Sequence, residues 1–145
     1  MRSRLLLVLS LLLLVSCGQE APTVGVDQSF ATACDEANDG TRIALEGFLR
    51  LPDSFTGDQS VVLRLYETDT FSGTPIGVTV PLGTEANQMA DVPVSYSDSD
   101  LLVYLNNGQT AAYGAKVKVS GKMYYPLVDQ DFDCGLQNVL LEPAS

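Results

Sequence analysis

Three carboxylates at alternate positions are the best candidate for a metal site in this sequence. Asp129, Asp131 and Asp133 precede the last apolar run, and a turn could gather alternate side chains around a hard cation such as calcium, which prefers several oxygen ligands. However, the sixth position of such a loop, where glycine is expected, is Cys134, and the twelfth is Leu140 rather than Glu. The pattern therefore favours a solvated acidic loop, and calcium binding is the weaker interpretation.

Ser120 and Lys122 lie two residues apart on one face of a predicted strand, a spacing that could suit a Ser–Lys nucleophile pair. A catalytic lysine needs desolvation, whereas a lysine beside Gly121 on an outward strand face is expected to be solvated. The chain has no histidine, which removes Ser-His-Asp triads, Cys-His pairs and His-containing zinc sites. No pair of carboxylates is specified across a cleft either. We therefore expect no catalytic residues, and a small hydrolase is the least supported function.

Tyrosine is the third residue type that could carry function, because it is enriched at binding surfaces. Tyrosine is also a favoured strand residue that buries its ring and exposes its hydroxyl, and this structural role is the preferred interpretation. The five tyrosines that could line a carbohydrate or peptide surface are Tyr96, Tyr104, Tyr113, Tyr124 and Tyr125.

The charge balance excludes one class of partner. The 145 residues include 18 acidic and 8 basic side chains, for a formal charge of −10. Nucleic-acid binding needs clustered Lys and Arg, so we expect no nucleic-acid partner. At 46% apolar and 18% charged, the composition is that of a folded domain.

The N-terminus predicts export. A basic head containing Arg2 and Arg4 precedes an apolar run over 5–15, which would form about 16 Å of helix, too short to span a bilayer. These features are typical of a cleaved leader. The run ends in Leu-Val-Ser-Cys, which resembles the lipobox of bacterial lipoproteins. The alternative is an ordinary secretory leader that happens to contain a cysteine.

The lipoprotein resemblance implies a signal peptide over 1–16 and a membrane anchor on Cys17, which would become the lipidated first residue. Position 18 is glycine rather than the aspartate that retains many such lipoproteins at the inner membrane, so the resemblance implies the outer membrane where the host has one. Removal of Arg2 and Arg4 with the leader would make the exported chain more acidic.

The two remaining cysteines, Cys34 and Cys134, form an even pair in an oxidising compartment, and we expect them to be joined by a disulfide. Closing a loop of about 100 residues would stabilise the fold by roughly 4 to 5 kcal/mol in the chain-entropy model. A reactive thiol pair is disfavoured, because acidic residues flank both cysteines and no cation is near to lower a thiol pKa.

These candidate residues must be positioned by short strands. Residues 18–29 lack periodicity, so 17–33 are expected to form the lipidated cysteine and a flexible tether. Residues 34–145 predict a single β-barrel domain. Strands are expected near 42–51, 61–66, 76–82, 116–123 and 134–142. Residues 97–113 are ambiguous: a short helix ending at Gly108 is one interpretation, and a hairpin with a two-residue turn at Asn107-Gly108 is favoured over it.

The strand pattern resembles the oligonucleotide/oligosaccharide-binding (OB) fold. The resemblance rests on a first strand interrupted at Gly47, a late Val-Lys-Val-Ser-Gly-Lys strand beginning at Val117, and a final strand. It implies an all-β, five-stranded barrel with an extra hairpin or short helix; an immunoglobulin-like sandwich is the alternative. It also implies a ligand face on the second and third strands, which here offers Arg64 and Tyr66 among acidic neighbours.

Together these features predict a lipid-anchored protein of the bacterial cell envelope. We expect a non-catalytic binding or assembly module without a cofactor, whose partner is an envelope protein or a glycan. A calcium-stabilised structural or adhesion module is the alternative.

Overall fold

A computed structural model describes residues 18–55 and 57–145. The predicted signal peptide and the lipid attachment at Cys17 lie outside these residues. Two short 3-10 turns, Glu36–Asn38 and Asp98–Asp100, accompany nine strands. The strands are β1 (Val26–Asp27), β2 (Arg42–Arg50), β3 (Ser60–Tyr66), β4 (Ile76–Pro81), β5 (Gln88–Met89), β6 (Leu102–Tyr104), β7 (Thr110–Ala112), β8 (Lys116–Tyr124) and β9 (Gly135–Pro143).

Five of these strands close into a barrel in the order β2-β3-β4-β9-β8, and β8 pairs back onto β2. The closing pair is antiparallel and continuous from Arg42 opposite Lys122 to Phe48 opposite Lys116. The β4–β9 pair is parallel, whereas the other four pairs around the barrel are antiparallel. The predicted all-β, OB-like barrel is thus confirmed. The sandwich alternative is wrong, because one continuous sheet closes on itself instead of two sheets facing each other.

Alternating side chains build the core inside this barrel. In β3, Val61, Leu63 and Leu65 are at most 2% exposed, while the residues between them reach the outer face. Val117 and Val119 repeat the pattern in β8. Because successive strand residues point to opposite faces, alternation of this kind fixes which residues can meet a ligand and which can only stabilise the fold.

The interruption at Gly47 marks a change of partner along β2. One edge of β2 pairs with β1 at Ile43 and Ala44, and farther along the chain with β3 from Phe48 onward. A Cβ atom at Gly47 would collide with the carbonyl oxygen of Tyr66. Glycine is therefore needed here because the β3 backbone approaches β2 so closely.

The ambiguous segment 97–113 contains the favoured hairpin, β6 and β7. Its turn differs from the prediction: Leu105 and Gln109 form the last hydrogen-bonded pair, so three residues rather than two make the loop. Gly108 has φ of 86° and donates its N–H to the Leu105 carbonyl, as in a type I turn followed by a glycine bulge. Upstream, Ser97 caps only the 3-10 turn Asp98–Asp100, so the alternative interpretation, a short helix ending at Gly108, is wrong.

Much of the predicted tether belongs to the folded domain. β1 pairs in parallel with β2, and Ala33 is fully buried in the core. The Arg42 side chain donates hydrogen bonds to the carbonyls of Thr23 and Asn138, which ties the N-terminal segment to β9. The boundary expected at Cys34 is therefore too late, since residues from Thr23 onward are held by the barrel.

The predicted disulfide is confirmed. Cys34 and Cys134 are bonded, with 5.5 Å between their Cα atoms and 100 residues between them in the chain. It links the segment before β2 to the residue before β9, so it joins the first and last parts of the barrel covalently.

Candidate functional site

The outer face of β2 and β3 carries the side chains most suited to binding. Phe48 lies opposite Tyr66, and Arg50 lies opposite Arg64, and all four alternate with core residues and are partly exposed. The fold resemblance implies a ligand on the second and third barrel strands, which are β3 and β4, so this face shares only β3 with the predicted one. That strand carries the predicted residues Arg64 and Tyr66.

Three aromatic rings meet at one end of this face, and we call them the aromatic cluster: Tyr66, Phe71 and Tyr113. The ring centroids of Tyr66 and Phe71 are 5.5 Å apart in an edge-to-face arrangement. Phe71 stacks on Tyr113 with 5.1 Å between centroids and 12° between planes. Both geometries are favourable for aromatic pairs. Because Tyr113 is 40% exposed, the cluster offers aromatic surface to a ligand.

Phe71 occupies a backbone conformation that is unusual for a bulky residue. Its φ is 52°, in the left-handed region, where a large side chain is a genuine outlier. The contacts with Tyr66 and Tyr113 hold it there. Strained residues of this kind gather at binding sites, so the conformation of Phe71 independently marks the cluster as the candidate site.

The loop between β3 and β4 adds hydroxyl groups beside the rings. The Thr68 and Thr70 hydroxyls are 2.9 Å apart, and the Thr70 and Ser72 hydroxyls are 3.1 Å apart. All three residues are exposed. Each hydroxyl can donate one hydrogen bond and accept others, so the loop can exchange hydrogen bonds with a polar ligand seated on the cluster.

Arg50 approaches the cluster but its charge is already paired. Its guanidinium carbon lies 5.8 Å from the Phe71 ring centroid, and its Nε lies 3.2 Å from an Asp98 oxygen. The Asp98 hydrogen bond is also the main cause of a raised Arg50 pKa. The pair makes this part of the face close to neutral, which disfavours recognition of an anion by Arg50.

Arg64 is likewise engaged, although it was predicted to face a ligand. Its Nη2 lies 2.6 Å from Asp131 Oδ1, and its Nε donates to Asp131 Oδ2 at 2.8 Å. The guanidinium also lies 4.9 Å from the Phe132 ring centroid, and only 11% of the Arg64 side chain is exposed. Arg64 therefore fastens the acidic loop to β3, and is not available as a free cation.

The acidic loop does not have the geometry of a cation site. Hydrogen bonding to Arg64 lowers the pKa of Asp131 and directs its carboxylate toward β3, while Asp129 and Asp133 are exposed. Across residues 18–55 and 57–145, no three His, Cys, Asp or Glu side chains converge as metal ligands would.

The Ser120–Lys122 pair is separated by burial. Lys122 is exposed, but Ser120 is fully buried, contrary to the expectation of an outward, accessible hydroxyl. Ser120 lies between Ala44 and Leu140 in the sheet register, and a register shift separates it from Lys122. Within the described chain its Oγ has no hydrogen-bond partner. A substrate could not reach this oxygen, and the arrangement does not support nucleophilic catalysis.

The other candidate tyrosines are dispersed. The Tyr96 hydroxyl donates to the Pro52 carbonyl, and burial raises the pKa of Tyr96. The Tyr125 hydroxyl donates to the Cys34 carbonyl at 2.7 Å, and the Tyr124 hydroxyl lies 3.3 Å from that of Thr79. Of the candidate tyrosines, only Tyr113 joins the cluster. Tyr96, Tyr124 and Tyr125 have the structural role that was the preferred interpretation of these residues.

Phe71 is the site residue that sequence reasoning missed. It lies in a loop, outside any alternating pattern, and its neighbours Ser72, Gly73 and Pro75 indicate only a turn. A large aromatic residue in a short polar loop was the one available signal, since such loops seldom need an apolar side chain.

Comparison with protein-family models, curated proteins and solved structures finds no match to this chain. None of the helices among residues 18–55 and 57–145 is both long and apolar enough to cross a membrane.

Proposed function

We propose that the chain is a bacterial envelope lipoprotein, anchored by a lipid on Cys17, whose barrel binds an uncharged glycan at the aromatic cluster without catalysing its conversion. The anchor is inferred from the leader and its Leu-Val-Ser-Cys end. The domain it would hold is the barrel described above.

The exposed stack of Phe71 on Tyr113 is the observation that carries the glycan proposal. Sugar rings present apolar C–H faces together with hydroxyl groups, so they match aromatic surface bordered by polar groups. The hydroxyls of Thr68, Thr70 and Ser72 supply that border. The pairing of Arg50 and Arg64 with carboxylates favours an uncharged ligand over a phosphate polymer.

A protein partner is the second candidate, and a different surface favours it. Leu127 and Val128 lie in the loop that Arg64 fastens, and are 102% and 67% exposed. Adjacent exposed apolar side chains are unusual on a soluble domain and are typical of interaction sites.

Binding of the natively lipidated protein to cell-wall glycan fragments tests the proposal. Tyr113→Ala should weaken binding about tenfold, which corresponds to about 1.4 kcal/mol. Tyr125→Ala is a matched control, because Tyr125 is 39% exposed against 40% for Tyr113, and it should bind like the wild type.

Two outcomes would contradict the glycan proposal. One is equal binding by both tyrosine variants and the wild type. The other is a single protein captured by cross-linking in intact cells and lost in Leu127→Ser but not in Tyr113→Ala, which would favour the protein partner.

The anchor is tested separately with Cys17→Ser. We expect this variant to lose both lipid labelling and sedimentation with membranes. A variant that is still cleaved at the same bond and remains membrane-bound would overturn the lipoprotein assignment.

A further inference from the structure

The N-terminal segment leaves the barrel beside a groove of about 680 Å³. Residues 19–22 line this groove together with Ser60, Thr79 and Pro81. Ser60 begins β3 and pairs with Pro81 at the end of β4. The groove therefore lies at the opposite end of the β3–β4 hairpin from the loop that carries Phe71.

The chain is held firmly from Thr23 onward, so little of it is left to act as a spacer. Besides the Arg42 hydrogen bonds to Thr23 and Asn138, Asp27 pairs with Lys118 at 2.7 Å. A chain running from Cys17 to Thr23 extends at most about 22 Å. A lipid on Cys17 would therefore keep this end of the barrel close to the bilayer.

The groove end also differs in charge from the rest of the molecule. Of the fifteen described residues that line the groove, only Glu20 and Lys122 are charged, with opposite signs, although the whole chain has a formal charge of −10. Asp58 and Glu85 adjoin it in the sequence. The opposite end of the hairpin carries Glu67 and Asp69, whereas Asp131 is paired with Arg64. Anionic headgroups repel acidic surfaces, and the nearly neutral lining of the groove would not be repelled in this way.

We propose that the groove end, defined by Ser60, Thr79 and Pro81, faces the lipid headgroup surface and that the aromatic cluster points away from it. The proposal rests on the lipidation of Cys17 proposed above. The seven residues of β3 extend about 20 Å, so the cluster would stand roughly that much farther from the bilayer than Ser60. The short anchor would thereby present the binding site to the space beyond the membrane.

Energy transfer to labelled lipids tests this orientation. The natively lipidated protein is reconstituted in vesicles of phosphatidylethanolamine and phosphatidylglycerol that contain an acceptor dye on the headgroups. A donor dye is attached through Ser60→Cys or Ser72→Cys, which replace two exposed serines at opposite ends of one hairpin. We expect clearly stronger transfer from position 60, and equal or reversed efficiencies would overturn the proposal.

Two controls separate the orientation from the anchor itself. A long Gly/Ser insertion between Gly18 and Gln19 should reduce the difference between the two positions, and an unchanged difference would overturn the role of the short link. Cys17→Ser should not bind the vesicles. If the Cys17→Ser variant does bind the vesicles, the proposed lipid anchor is wrong. If this variant does not bind, but the lipidated protein gives equal energy transfer from positions 60 and 72, only the proposed orientation is wrong.

Discussion

Most of the basic side chains that the structure describes are paired with carboxylates. Four ion pairs join described residues: Arg50–Asp98, Arg64–Asp131, Lys116–Glu46 and Lys118–Asp27. At least one member of each pair is substantially exposed, so solvent screening keeps the contribution of each pair to stability small. Their larger effect is on recognition, because they leave few cations free to meet a polyanion.

Glu46 should titrate unusually low. It accepts hydrogen bonds from the Ser145 hydroxyl at 2.6 Å and the Ser145 N–H at 3.0 Å, and these bonds are the main reason its pKa falls to about 2. Because the pKa of Glu46 is lower in the folded state than in the unfolded state, its ionised carboxylate stabilises the fold at pH values above the unfolded pKa. This contribution is lost as the pH falls from about 4.5 toward 2. Ser145→Ala should raise the pKa of Glu46, measured by carbon NMR of its carboxyl group. An identical titration curve in the variant would contradict the assigned cause.

Calcium should leave the melting temperature unchanged, because Asp131 is held by Arg64 and does not converge with Asp129 and Asp133. Asp131→Asn should cost at most about 1 kcal/mol, since 58% of the Asp131 side chain is exposed. Thermal unfolding with calcium and with chelator measures both. A calcium-dependent rise that disappears in Asp131→Asn would support the calcium-stabilised module instead.

Replacing Ser120 should help the fold. Its buried Oγ has no partner in the described chain, and burying an unsatisfied hydroxyl costs about 1 to 3 kcal/mol. Ser120→Ala should therefore unfold at equal or higher denaturant concentration, by up to about 1 kcal/mol, and should retain glycan binding. Loss of function without loss of stability would revive the nucleophile hypothesis.

At the scale of elements, β2 is the strand on which the barrel depends most. It pairs with β8 along one edge and with β1 and then β3 along the other. The backbone of β3 approaches it at Gly47, and the same strand places Arg50 beside the aromatic cluster. A defect in β2 should thus disturb both closure of the barrel and the candidate site.

Gly47→Ala tests this dependence. The new methyl group would collide with the Tyr66 carbonyl, and the backbone shift needed to relieve it should cost about 3 kcal/mol. Gly108→Ala is the control, since its site is open and only its φ of 86° opposes a side chain, at about 1 to 2 kcal/mol. Equal losses in denaturant unfolding would contradict the close approach of β2 and β3.

The positions of the strands could be predicted because they depend on the pattern of residues that are neighbours in the sequence. Alternation marked β3 and β8, and Gly47 marked an interruption of β2, although the change of strand partner there is visible only in the structure. The pairing of Arg64 with Asp131 and the burial of Ser120 depend on residues distant in the chain. The cluster likewise assembles from β3, the following loop and Tyr113, and no periodicity connects those three.

At the scale of the whole molecule, the disulfide compensates for a small domain. Barrels of this size bury a limited core, and a bridge across 100 residues restricts the unfolded chain most when the loop it closes is long. β1 extends the ordered structure upstream of that bridge, which is why the predicted tether is shorter than its polar sequence indicated.

Removing the bridge should be costly. The double variant Cys34→Ser, Cys134→Ser should lose about 4 to 5 kcal/mol, measured by denaturant unfolding against the oxidised protein. Reduced wild type serves as the control and should match the double variant. A loss below about 1 kcal/mol in both would contradict the stabilising role assigned to the bridge.

The same bridge determines how the domain would respond to mechanical load. A pull on the N-terminus first strips β1 from β2 and then reaches Cys34, where the disulfide passes tension directly to Cys134. The 99 residues between the two cysteines, which include every barrel strand except β9, then lie outside the load path between the chain ends. Stretched between its ends, the protein would yield only a short extension before covalent bonds bear the force.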